Sequence, residues 1–141
     1  MTTTPTLTWQ LTQDHHRKLA IARADDKIPA TDRLRAIVQL WAADDTYRSR
    51  IDGHSGQLCN VPRDPAQPDV KVGVRFPSPE LPRALAVARN ADGITTIDRI
   101  RAALDLWLTD PQFRSAVDSA AALLRAGRRA PVTRAAVTSA R

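Results

Sequence analysis

Apolar and other residues alternate with period two from Val70 to Phe76, VKVGVRF. The alternation predicts a half-buried strand, with Val72, Val74 and Phe76 on one face and Lys71, Gly73 and Arg75 on the other. Pro77 ends it. Ser78 is placed as an N-cap, with Pro79 at the first helical position and Glu80 in the first turn. That helix is expected to reach about Asp92, with Leu81, Leu85 and Ala88 on one face and Gly93 as its C-terminal glycine. Thr95 caps the next helix, and Asp98 completes a capping-box-like pattern. Ile97, Ile100, Leu104, Trp107 and Leu108 then recur at helical spacing. Asp110-Pro111 starts a third helix, with Phe113, Val117, Ala121 and Leu124 in line. AGRRAPVTRAAVTSAR, after Arg125, has no apolar stripe and is expected to be mostly disordered.

The same order is legible earlier in the chain. TLTWQL, Thr6 to Leu11, alternates, with Leu7, Trp9 and Leu11 on one face and Thr6, Thr8 and Gln10 on the other. Helices follow over about Gln13 to Asp26 and about Pro29 to Ala43, the second with Ala30, Leu34, Ile37, Val38 and Trp41 inward. Tyr47 and Ile51 begin a third helix that Gly53 is expected to cut short. Leu19 to Asp52 aligns with Leu85 to Asp118 without a gap, at an offset of 66. Leu19, Ala20, Ala22 and Arg23 recur as Leu85, Ala86, Ala88 and Arg89. Asp32, Arg33 and Arg35 recur as Asp98, Arg99 and Arg101, Leu40-Trp41 as Leu106-Trp107, and Arg48-Ser49 as Arg114-Ser115. The sequence reads as a tandem duplication. Matching the strand faces needs a one-residue gap near Thr12.

The expected organisation is a first unit over residues 1–52, a Pro/Gly linker over 53–70, a second unit with its third helix over 71–125, and a basic disordered tail over 126–141. The fold class expected is mainly α with a short two-stranded antiparallel ribbon. An isolated strand leaves its backbone groups unpaired, and two short helices bury too little to offset the ordering of the chain. Two copies solve this: the strands pair, within one chain or between two, and the helices pack beneath.

Arg75-Phe76-Pro77 leading from strand to helix, then Gly93-Ile94-Thr95 between helices, resembles the ribbon-helix-helix family of DNA-binding proteins. The resemblance covers about Val70 to Leu108 well and about Thr6 to Ala43 loosely. It implies an intertwined dimer, here fused into one chain, whose ribbon enters the major groove of double-stranded DNA. By position the base readers would be Lys71, Gly73 and Arg75 in the second unit, and Thr6, Thr8 and Gln10 in the first. Arg can donate twice to guanine and Gln can pair with adenine. The resemblance also implies a phosphate at the N-terminus of the helix after Thr95 and Thr96, where amides and helix dipole favour an anion. In the first unit Pro29 replaces Thr95 and has no amide to donate. The half-sites are therefore expected to differ, and the target need not be a palindrome. The expected role is that of a transcriptional repressor, or of a plasmid partition or conjugation accessory protein, with self-association on adjacent sites possible. The alternative is an antitoxin or other protein-binding module whose tail grips a partner.

Charge sharpens this picture. The 141 residues carry a net charge of +6. Residues 1–69 hold nine basic and nine acidic residues, whereas residues 125–141 hold five arginines and no acid. Arg128 and Arg129 in this arm are expected phosphate contacts. The repeated pairs Arg33/Arg35 and Arg99/Arg101 each lie near an Asp, and ion pairs along a helix face are their ordinary role. Trp41 and Trp107 are expected in the core. The one cysteine, Cys59, cannot form an internal disulfide. His15-His16 point about 100° apart on a helix and are a poor chelate, so no metal is expected. No G-x-S-x-G, H-E-x-x-H or phosphate loop occurs, so neither catalysis nor a cofactor is expected. Nor is a small-molecule ligand evident. With no long apolar run and no signal-peptide pattern in MTTTPTLTWQ, the expected location is the cytoplasm, at the nucleoid.

Overall fold

The computed structural model describes residues 6–58 and 69–129. Strand β1 (Thr6–Leu11) leads into α1 (Gln13–Asp26), α2 (Ala30–Ala43) and α3 (Asp45–Leu58). The order then recurs as β2 (Val70–Arg75), α4 (Glu80–Asp92), α5 (Thr96–Thr109) and α6 (Pro111–Arg129). The protein is mainly helical, with a two-stranded antiparallel sheet formed within the one chain.

Local chemistry explains most boundaries. The Thr12 hydroxyl accepts from the His15 amide at 3.1 Å and caps α1. α1 ends at Lys27, whose φ of 65° is left-handed, and α4 ends at Gly93 with φ 74°. Thr95 caps α5 by accepting from the Asp98 amide at 3.3 Å. Asp44 and Asp110 cap α3 and α6 in the same way, through the amides of Tyr47 and Phe113.

Three boundaries depart from the sequence reading. Gly53 does not cut α3 short; the helix passes Gly53 and Gly56 and ends at Leu58, inside the predicted linker. A helical glycine costs only about 1 kcal/mol against Ala. Burial of Ile51 and Ser55 on the same helix offsets it. Ser78 is not the N-cap of α4. Pro79 takes that place, in helical geometry and without a side-chain cap bond; its fixed φ suits a helix start and it has no amide to leave unpaired there. α6 continues through Ala126 to Arg129 rather than stopping before the tail, since Ala and Arg are strong helix formers. The rest of the linker, including Cys59, and the remainder of the tail lie outside the described residues.

The core forms beneath the ribbon. Trp9, Leu11 and Val74, with Phe76 just past β2, are buried on its inner face, and the Trp9 and Phe76 rings meet edge to face at 6.0 Å. α2 and α5 carry most of the remaining core, including Trp41 and Trp107. The halves are interleaved: β1 rests on α5 and β2 on α2, while α3 lies along α5 and α6 along α2.

Two arginine clasps tie these layers. Arg33 on α2 and Arg99 on α5 are 1% and 2% exposed. Arg99 donates from Nε to Asp52 on α3 at 3.1 Å, from Nη1 to the Ile94 carbonyl at 2.7 Å, and from Nη2 to Asp92. Arg33 makes the same bonds to Asp118 on α6 at 3.0 Å, to the Ile28 carbonyl at 2.9 Å, and to Asp26. The same aspartates accept from the indole nitrogens, Asp52 from Trp41 at 2.9 Å and Asp118 from Trp107 at 3.0 Å. Burying two arginines is costly unless every donor finds an acceptor, and here each guanidinium is served on three sides.

Candidate nucleic-acid interface

The antiparallel register pairs Thr6 with Arg75, Thr8 with Gly73 and Gln10 with Lys71. All six of these residues are exposed, while the residues between them point into the core or are half-buried. The structure therefore brings the six residues singled out on the two strands onto one outward face. Neighbouring strands lie ~4.8 Å apart and rise ~3.3 Å per residue. The face is thus about 13 Å long, the length of roughly four base pairs, and narrow enough for a major groove ~12 Å wide.

The face is not uniform. Both of its cations, Lys71 and Arg75, come from β2, at opposite ends. β1 contributes two hydroxyls and one amide. The centre is a glycine opposite a threonine, which makes it the lowest point of the surface. A Cβ built on Gly73 would meet only Thr6 Cγ2, at 4.0 Å. Internal packing therefore does not require glycine there.

Thr96 begins α5 beside the ribbon and lines a hollow with Thr8 of β1 and Arg89 and Asn90 of α4. Thr95 spends its hydroxyl on Asp98, donating to the carboxylate at 3.0 Å. At the matching end of α2 the cap is Pro29, with no side-chain cap bond. Arg89 is an exposed cation that sequence reasoning left out of the site; its recurrence as exposed Arg23 in the alignment was the available signal. Arg128 and Arg129 end α6, and their side chains lie outside the described residues.

His15 and His54 prove to share a partner. Each donates from Nε2 to one oxygen of Asp105 on α5, at 2.7 and 2.9 Å. The contact joins α1 and α3 to α5. Burial pushes the Asp105 carboxyl up, but the two imidazole hydrogen bonds outweigh it and hold the group below its ordinary range. A depressed carboxyl adds stability above its unfolded pKa of ~3.9, and that stability is lost as pH falls through the folded value. Asp105→Asn should therefore melt below the parent protein at pH 7, and the gap should close as pH falls below about 4. Thermal melts across pH check this; a gap that does not narrow as pH falls below about 4 would mean the charge is not the source.

Beside this contact an open groove of about 620 Å³ runs between α3 and α5, lined by Arg50, His54, Gln57 and Asp105 among others. It was not foreseen, because its residues come from distant parts of the sequence. Among the described residues no group of three or more His, Cys, Asp or Glu is arranged to hold a metal. No helix among them is long and apolar enough to cross a membrane. Comparison with protein-family models, with curated proteins and with solved structures finds no match for this chain.

Proposed function

We propose that this protein binds double-stranded DNA through the outward face of its ribbon, as a tandem ribbon-helix-helix pair carried in one chain. One observation carries the reading: Thr6, Thr8, Gln10, Lys71, Gly73 and Arg75, which alternation places on the outer strand faces, stand exposed in three cross-strand pairs above a buried apolar face. Solubility alone asks only for polar residues at such positions. It does not ask for a glycine at the middle of a strand, where glycine is unfavourable. A missing side chain makes sense where another molecule must approach the backbone closely. Arg75 and Lys71 would donate to guanine or thymine acceptors at the two ends of the face, and Gln10 to adenine. The amides at Thr96, with Arg89 beside them, would meet a phosphate. Because both strand cations lie on β2 and Pro29 weakens the α2 end, the two half-sites differ and the protein lies on its target in one orientation. Such a protein would act in the cytoplasm, as a repressor or as a partition or conjugation accessory factor.

Gly73→Val tests the reading. A Cβ there meets nothing closer than 4.0 Å, the position is exposed, and a β-branched residue favours a strand. The variant should melt at or above the parent temperature while its affinity for the target duplex falls at least tenfold. Thermal melting and a duplex titration measure both. Undiminished affinity would show that DNA does not meet the centre of the ribbon.

A further inference from the structure

Arg35 and Arg101 are the second arginines of the two repeated pairs, and neither takes part in the clasps. Each reaches a strand instead. Arg101 on α5 donates from Nη2 to the Gln10 carbonyl of β1 at 2.8 Å and to the Asp69 carboxylate at 2.8 Å. Arg35 on α2 donates from Nε to the Arg75 carbonyl of β2. Its Nη1 pairs with Asp32 at 2.8 Å. The arginine side chains are 10% and 16% exposed. Gln10 and Arg75 occupy the two ends of the ribbon, and both present their side chains on the proposed reading face.

From this geometry we infer that Arg35 and Arg101 are positioning residues for DNA recognition, holding the ribbon from below at each end without touching DNA themselves. A two-stranded ribbon is marginal alone, and both of its outer edges carry carbonyls with no neighbouring strand. The buried face resists lifting but does little against rocking about the ribbon's long axis. An arginine bonded to a carbonyl at each end supplies that restraint. It also fixes the backbone of the residue that points outward, and so the direction of the Gln10 and Arg75 side chains. Base readout needs donors aimed to within ~0.5 Å and ~10–20°. Each anchor comes from the other half of the chain, α5 to β1 and α2 to β2, so the ribbon is aligned to the helix layer as a whole.

The inference rests on the proposed DNA reading for its functional half, and the test separates the two. Arg101→Gln and the more exposed Arg35→Gln are compared with the parent chain. Amide hydrogen exchange over residues 6–11 and 70–75, without DNA, should quicken at the anchored end in each variant. Affinity for a selected duplex should fall about tenfold, while affinity for scrambled duplex and the salt slope stay unchanged. Unchanged exchange at the ribbon overturns the inference. So does an equal loss on both duplexes with the salt slope reduced by about 0.9, the mark of a lost phosphate contact. Loss of thermal stability with discrimination intact would make the arginines merely structural, and also overturns it. A parent chain that selects no duplex would sink the DNA reading, while the exchange result would still decide whether these arginines hold the ribbon.

Discussion

Asp52→Ala should lower the stability of the protein by about 3 kcal/mol, a large share of the ~5–15 kcal/mol that ordinary domains possess. Asp52 Oδ1 accepts from both Arg99 Nε and Trp41 Nε1. Truncation leaves a 2% exposed arginine and a 2% exposed tryptophan with unpaired donors. Removing one partner of a buried ion pair costs ~3–5 kcal/mol. The low end applies here, because the Asp52 carboxylate is itself partly exposed and because Asp92 and the Ile94 carbonyl still serve the other guanidinium nitrogens. Asp118→Ala should cost a similar amount through Arg33 and Trp107, whose bonds are the same. Asp92→Ala should cost less, since its side chain is 38% exposed against 27% for Asp52 and it serves no tryptophan indole. Denaturant unfolding of the three variants gives the order. Losses under about 1 kcal/mol for both Asp52→Ala and Asp118→Ala would mean that apolar packing alone joins the halves.

Arg75→Ala should weaken binding to the cognate duplex by ~1–3 kcal/mol, five- to 150-fold, and relax the preference at one base pair. Stability should move by no more than ~0.5 kcal/mol, because the side chain is exposed and the anchor to Arg35 uses only the backbone carbonyl. Lys71→Ala at the opposite end should cost less, as an ammonium lacks the planar fork that matches guanine. Duplex titrations beside thermal melts separate the two effects. Normal binding by the Arg75 variant would remove it from the reading face.

What the sequence revealed follows its periodicities. Period two predicted both strands and the face each presents, and the capping signals at Thr95 and Gly93 lie where the helices turn. The 66-residue offset also aligns Lys27 with Gly93, so the left-handed φ at Lys27 was legible once Gly93 was read as a helix end. The arginine pairs were not legible in the same way. Local charge spacing favours partners three or four residues away, and Arg35 with Asp32 fits. Arg33 and Arg99, however, find Asp118 and Asp52, 85 and 47 residues distant. Only packing of one half against the other brings those together. Asp105 with His15 and His54 escaped notice for the same reason, and the 66-residue offset gave no hint of it: the positions it matches to them are Gln39, Leu81 and Ala120. Gly53 misled because a glycine's local cost was weighed without the burial that exceeds it.

If the outward face of the ribbon reads DNA, the duplex that the protein selects must meet that face. The most direct measurement is selection of duplexes from a random library by the full chain, followed by NMR titration of the enriched duplex into the labelled protein. One enriched, non-palindromic core containing guanine is expected. Backbone amide shifts should concentrate at residues 6–10, 71–75 and 95–96. No enriched sequence, or shifts gathered at the groove between α3 and α5 with the ribbon silent, would contradict the DNA reading.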